Sequence, residues 1–146
     1  MSESVRHVFD TNTLVSAVLF EHSKPGQALR RALRRGRVLF SLSTLEELAE
    51  VLQREKFERY VTAAEREEFL VAFVERALFI EPREVIRVCR DARDDKFLEL
   101  AVSRRVAYII SGDDDLLVLH PFRDIAIMTV AEFLRATDAE AMDEQV

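Results

Sequence analysis

The sequence predicts an α/β fold, a three-layer α/β/α sandwich whose central sheet is parallel. Two observations carry that expectation. Short apolar runs ("VRHVF", "RVLFS", "VAYIIS", "IAIMT") alternate with stretches of helical periodicity, and strands that alternate with helices at this spacing need crossover connections and a sheet covered on both faces. Only three glycines and three prolines interrupt 146 residues that are 49% hydrophobic, so regular elements fill one domain large enough to bury a core.

The elements follow in order. Val5–Phe9 reads as a buried strand, and a helix is expected from Thr13 to Phe20. "SKPGQALRRALRRG" gives a second helix closed by Gly36, "RVLFS" a strand, and "STLEELAEVLQRE" a helix with Ser43 as N-cap and Glu46 as its capping-box partner. "TAAEREEFLVAFVERALFI" is a longer amphipathic helix with Thr62 as cap and Glu65 three residues on. Pro82 breaks the chain, "EVIRV" is read as a short strand, and a helix follows over "DKFLELAVSRR". Strand "VAYIIS", the acid-rich turn "GDDDLLVL", strand "IAIMT" and helix "VAEFLRA" complete a domain over residues 1–136. From Thr137, "TDAEAMDEQV" lacks apolar periodicity, and 137–146 is expected to be an acidic, disordered tail.

Charge and composition narrow the function. A net charge of −6 argues against a protein that coats nucleic acid by bulk electrostatics. Positive charge is local: in "ALRRALRRGR" one helical face carries Arg30, Arg31, Arg34 and Arg35, either a solvated face or an RNA-phosphate contact surface. The single cysteine, Cys89, has no partner for an internal disulfide, and His7, His22 and His120 lack the spacing of a zinc pair. No apolar run approaches the ~20 residues of a membrane span, and "MSESVRHVFD" enters the first strand without a signal peptide, so a cytoplasmic protein without a membrane partner is expected.

The chemistry lies in the acids. Asp10 follows the first strand and Asp113 follows "VAYIIS", so in a parallel sheet both emerge at the same edge, where ligands of such folds bind. Asp94 heads one helix, and Glu46 or Glu47 lies in the first turn of another. Each alone is explained as a cap or a dipole partner. Several carboxylates at one edge, however, repel one another and raise each other's pKa unless a cation neutralises them, and a hard divalent ion such as Mg²⁺ or Mn²⁺ suits oxygen ligands. Helical phase puts Asp94 on the core-facing side with Phe97, Leu98 and Ala101, and Asp95 with Glu99 on the polar side. The same test leaves Glu46 and Glu47 undecided.

With "VFDTNTLVSA", "LEELAEVL", "CRDARDDKFLELA" and "YIISGDDDLL" in this order, residues 5–135 resemble the PIN domain family, most closely its VapC-type toxin branch. The resemblance implies a metal-dependent endoribonuclease that leaves 5′-phosphate and 3′-hydroxyl ends, with Asp10, Glu47, Asp94 and Asp113 as catalytic metal ligands for Mg²⁺ or Mn²⁺. It places Asn12 and Ser111 as supporting residues and Asp115 as an accompanying acid. It also implies an RNA substrate, an antitoxin partner and a homodimer, for which "FLVAFVERALFI" offers either interface or core. Ala92 departs from the family's usual proline at that position.

Two competitors stand beside this reading. A catalytically silent PIN-fold binding module would keep the acids for stability. A haloacid-dehalogenase-type aspartyl phosphatase would use "FDTNT", but Asn12 then stands where an acid must donate a proton, and only Lys96 is suitably placed to hold phosphate.

Overall fold

Parallel pairing of short strands builds the centre of the molecule. In the computed structural model, which describes residues 5–144 with side chains over 5–138, β1 (Val5–Phe9), β2 (Gly36–Phe40), β3 (Leu78–Phe79), β4 (Tyr108–Ile110) and β5 (Ala126–Met128) form one sheet. The strand order is β3-β2-β1-β4-β5, and every neighbouring pair is parallel. Successive strand residues face opposite sides. Phe9, Val38, Phe40 and Ile110 enter a core against α1 (Thr11–Leu19), α2 (Lys24–Arg35), α3 (Leu42–Leu52), α4 (Ala63–Arg76) and α7 (Val130–Glu144). Val8, Leu39 and Ile109 enter a second core against α5 (Asp95–Ser103) and the short α6 (Asp114–Leu117). The three-layer α/β/α expectation is met.

Strand order runs outward in one direction from β1 and in the other from β4, so a crevice opens beyond the carboxyl ends of these two strands. Asp10 and Asp113 both lie there. Gly36 stands where α2 turns into β2, and a Cβ on it would lie 2.0 Å from the Val5 carbonyl oxygen. Its φ of −177° is ordinary extended backbone, so close approach to β1 is what requires glycine.

Four local expectations are corrected. Helix α3 is capped by Ser41, not Ser43: the Ser41 hydroxyl accepts from the Thr44 N–H (3.2 Å) while the Thr44 hydroxyl accepts from the Ser41 N–H (2.9 Å), closing the capping box two residues early. "EVIRV" is not a strand. Two of its backbone donors are taken by side chains of α5, Ile86 N–H by Glu99 (2.9 Å) and Val88 N–H by Asp95 (3.2 Å), as is the following Cys89 N–H by Asp95 (2.8 Å), while β3 forms earlier, at Leu78–Phe79.

Asp95 is therefore buried rather than on a solvated face. Burial works against its charge, but the Cys89 and Val88 N–H groups hold its carboxyl below the usual value. Burial, followed by Asp95, pushes the Cys89 thiol up to about 12. The tail expected from Thr137 begins as helix: Thr137 is fully buried, its hydroxyl donates to the Phe133 carbonyl, and Arg31 of α2 reaches the Leu134 carbonyl and Asp138. Gln145 and Val146 lie outside the described residues. No described helix is long and apolar enough to cross a membrane.

Candidate metal centre

The end of β1 and the end of β4 are stitched together before any ligand is considered. The Asp10 N–H donates to the Ile110 carbonyl (3.1 Å), continuing the ladder one residue past β1. Buried Asp10 then turns its carboxylate to two donors: Oδ1 accepts the Thr13 N–H (2.9 Å), capping α1, and Oδ2 accepts the hydroxyl of the fully buried Ser111. The same Ser111 oxygen accepts the Asp113 N–H (2.9 Å), and Asp113 Oδ1 accepts the Asp115 N–H (2.9 Å) to start α6. Ser111 thus links Asp10 to Asp113.

Asp113 and Asp115 meet Asp94, with one carboxylate oxygen of each lying within 4.8 Å of the others. Asp94 sits at the junction of the 92–94 turn and α5, and its Oδ2 is buried without a hydrogen-bond partner. Burial, and after it the neighbouring Asp113 carboxylate, push the Asp94 carboxyl up to about 7. A buried carboxylate oxygen without a donor is costly, and an all-oxygen cluster of this kind matches the donor set of a hard divalent cation.

Glu47 opens onto a cleft of about 340 Å³ with Asp94, Asp113 and Asn12, whereas Glu46 faces a separate cavity. Lys96 Nζ lies 2.5 Å from Glu47 Oε2 and also donates to the Arg93 carbonyl. Asp10 is not in the three-acid cluster. It lies behind it, joined through Ser111, in a second cavity of about 530 Å³ that also contains Asn12 and Asp113.

Asp91, Arg93 and Arg54 line the cleft without having been singled out from the sequence. Asp91 caps the 92–94 turn and binds Arg93 through both carboxylate oxygens, and Arg54 also lines the cleft. The signal available for Asp91 was its position three residues before Asp94. Arg54 offered none, because its place depends on how α3 ends.

The arginine face of α2 lies elsewhere. Gly36 pairs with Val5, so the last turn of α2 is at the sheet edge opposite the acids. Arg31 is spent on α7, and Arg35 donates to His7 Nε2 (2.8 Å) with its guanidinium over the Tyr108 and Phe133 rings. Arg30 donates to the Glu21 carbonyl beside an apolar cleft between α1, α2 and α4, and Arg34 is exposed.

The chain and its fold are similar to those of known proteins. An uncharacterized protein of Methanocaldococcus jannaschii, MJ1680, is 32% identical over 117 residues, 79% of this chain and 75% of that protein. Two crystal structures share the fold. PAE2754 from Pyrobaculum aerophilum matches with a TM-score of 0.62 at 16% identity, over 92% of this chain and 90% of that one. VapBC2 from Rickettsia felis, bound to a DNA fragment from its promoter, matches with a TM-score of 0.59 at 12% identity, over 86% of this chain and 98% of that one. A family model described as PIN domain matches residues 6–115, and the chain belongs to the PIN domain family.

Proposed function

We propose that this protein is a metal-dependent endoribonuclease and the toxin component of a toxin-antitoxin pair. One observation carries the proposal: Asp94, Asp113 and Asp115 converge at the switch point of the sheet, with an unpartnered buried oxygen on Asp94. Asp94 and Asp113, with Asp115 or Glu47 completing the set and Asp10 behind them, would hold Mg²⁺ or Mn²⁺. Such an ion supplies positive charge that acidifies a water and offsets the charge building on a phosphodiester under attack.

The protein's own groups do the positioning. Ser111 fixes the Asp10 carboxylate and the Asp113 backbone at once, so neither acid needs to reorganise during the reaction. Lys96 holds Glu47 at the cleft wall and limits the repulsion among the acids. Asn12, a neutral amide lining both cavities, can donate to a phosphate oxygen without adding charge. Asp94, whose carboxyl burial and Asp113 push up to about 7, would have to be deprotonated to serve as a ligand.

Family membership and the fold shared with VapBC2 support the toxin reading, and with it an antitoxin partner and a homodimer. The phosphatase alternative loses its phosphate-binding lysine, because Lys96 is engaged by Glu47 and the Arg93 carbonyl. The test is cleavage of single-stranded RNA with Mn²⁺ or Mg²⁺. Activity should vanish with EDTA and in Asp113→Asn; EDTA-resistant cleavage, or full activity in Asp113→Asn, would refute the assignment. No cleavage by the parental chain under either ion would favour the silent module.

A further inference from the structure

The two cavities of the site share Asn12 and Asp113 as a common wall. One cavity is lined as well by Glu47, Asp94 and Arg54, which follows α3. The other is lined as well by Asp10, Gly112 and Lys24, the first residue of α2. A Cβ added to Gly112 would meet nothing within 4 Å, so the passage beside Asp113 is open.

An acidic chain that binds a polyanion needs cations beyond its acid cluster, because a divalent ion offsets charge only where it sits. The basic side chains nearest the acids are already committed. Arg93 is bound to Asp91 at 2.9 and 3.2 Å, and Lys96 to Glu47 and a carbonyl. Lys24 and Arg54 differ: both are exposed, each lines one of the two cavities, and among the described residues neither side chain enters an ion pair or hydrogen bond.

We infer that a single RNA strand lies across both cavities with its scissile phosphate at Asn12 and Asp113, and that Lys24 and Arg54 hold backbone phosphates on either side of it. This rests on the nuclease reading and assigns its positioning residues. It also moves the RNA-contact surface away from Arg30, Arg31, Arg34 and Arg35. A track of this kind needs unpaired RNA, since the strand must bend around the shared wall with its bases free.

The experiment has two arms. Binding of a fluorescein-labelled single-stranded RNA of about a dozen nucleotides, a length typical of such sites, is measured by anisotropy in the Asp94→Asn background, where the probe is not consumed. Steady-state cleavage is measured in the otherwise unaltered chain. Lys24→Ala and Arg54→Ala should each raise Kd about fivefold and flatten the slope of log Kd against log salt by about 0.7. In the cleavage arm each should raise KM by a similar factor with kcat within about twofold. Both side chains are exposed, so melting temperatures should not move. Arg37→Ala, at the opposite sheet edge, controls for bulk charge.

Parental affinity in both Lys24→Ala and Arg54→Ala, an equal loss in Arg37→Ala, or a loss confined to Arg34→Ala would overturn the inference. If the unaltered chain fails to cleave while Lys24→Ala and Arg54→Ala still weaken binding, the nuclease reading falls and the strand site stands.

Discussion

Ser111 donates its hydroxyl hydrogen to Asp10 Oδ2 and accepts the Asp113 N–H on the same oxygen, so one buried side chain sets the position of two acids from different strands. Replacing it by alanine removes the donor from a buried carboxylate. Ser111→Ala should destabilise the fold by about 1–3 kcal/mol and weaken Mn²⁺ binding or activity by about 10–100-fold. Chemical denaturation and calorimetry check the two effects. Parental Mn²⁺ affinity in a folded Ser111→Ala protein would mean that the link is structural only.

Asp94 predicts a pH dependence. Its carboxyl titrates at about 7 in the folded chain against 3.8 ordinarily, so between about pH 4 and 7 the folded state binds more protons than the unfolded state. Stability contributed by this residue therefore falls as pH rises through that window and is lowest above it. Asp94→Asn should abolish cleavage yet raise metal-free stability at pH 8 by about 1–2 kcal/mol, a figure reduced for solvent screening. The gain should shrink towards zero near pH 4. Melting curves of both proteins across that range decide it, and a variant less stable than the parent at pH 8 would contradict the assignment.

A cation bound at Asp94 must displace that proton. Mn²⁺ binding at pH 7 should release a substantial fraction of one proton, read as a dependence of calorimetric heat on the buffer's ionisation enthalpy. It should also raise the melting temperature of the parent, reversibly with EDTA, but not that of Asp113→Asn. Equal heats in all buffers would place the ion elsewhere.

Lys96 offsets Glu47 at the cleft wall. Lys96→Met should leave a more negative site, tightening Mn²⁺ binding about threefold to tenfold while lowering kcat because Glu47 loses its fixed position. Weaker Mn²⁺ binding in this variant would show that Lys96 organises the acids more than it competes with the cation.

Asp95 holds the 85–89 segment down on α5 through the Val88 and Cys89 N–H groups. Asp95→Ala should cost about 2–3 kcal/mol and expose Cys89, whose thiol is pushed up to about 12 in the parent. Alkylation of Cys89 by iodoacetamide at pH 8, slow in the parent, should accelerate in Asp95→Ala and not in Asp94→Asn.

Most of this architecture was legible because it depends on periodicity. Alternating apolar runs and amphipathic stretches fix a parallel sheet, and parallel strands force Asp10 and Asp113 to one edge whatever the loop details. What was not legible depended on which donor each polar group finds in space. Helical phase put Asp95 beside Glu99 on the same side of α5, as observed, but whether that side is solvated depends on a segment from residues 84–91 folding over it. Ser41 outcompetes Ser43 as a cap because the Thr44 hydroxyl completes a reciprocal pair, a contact invisible to a serine-to-glutamate pattern. The α2 arginines read as one charged face, yet α7 packs against that face and draws Arg31 and Arg35 into structural duty.

Asp94, Asp113 and Asp115 are proposed to share one divalent cation. Anomalous diffraction from crystals soaked in Mn²⁺ tests it most directly. A strong peak is expected among these three carboxylates, lost in crystals of Asp113→Asn. Saturating Mn²⁺ with no peak there, or a peak unchanged by that substitution, would contradict it.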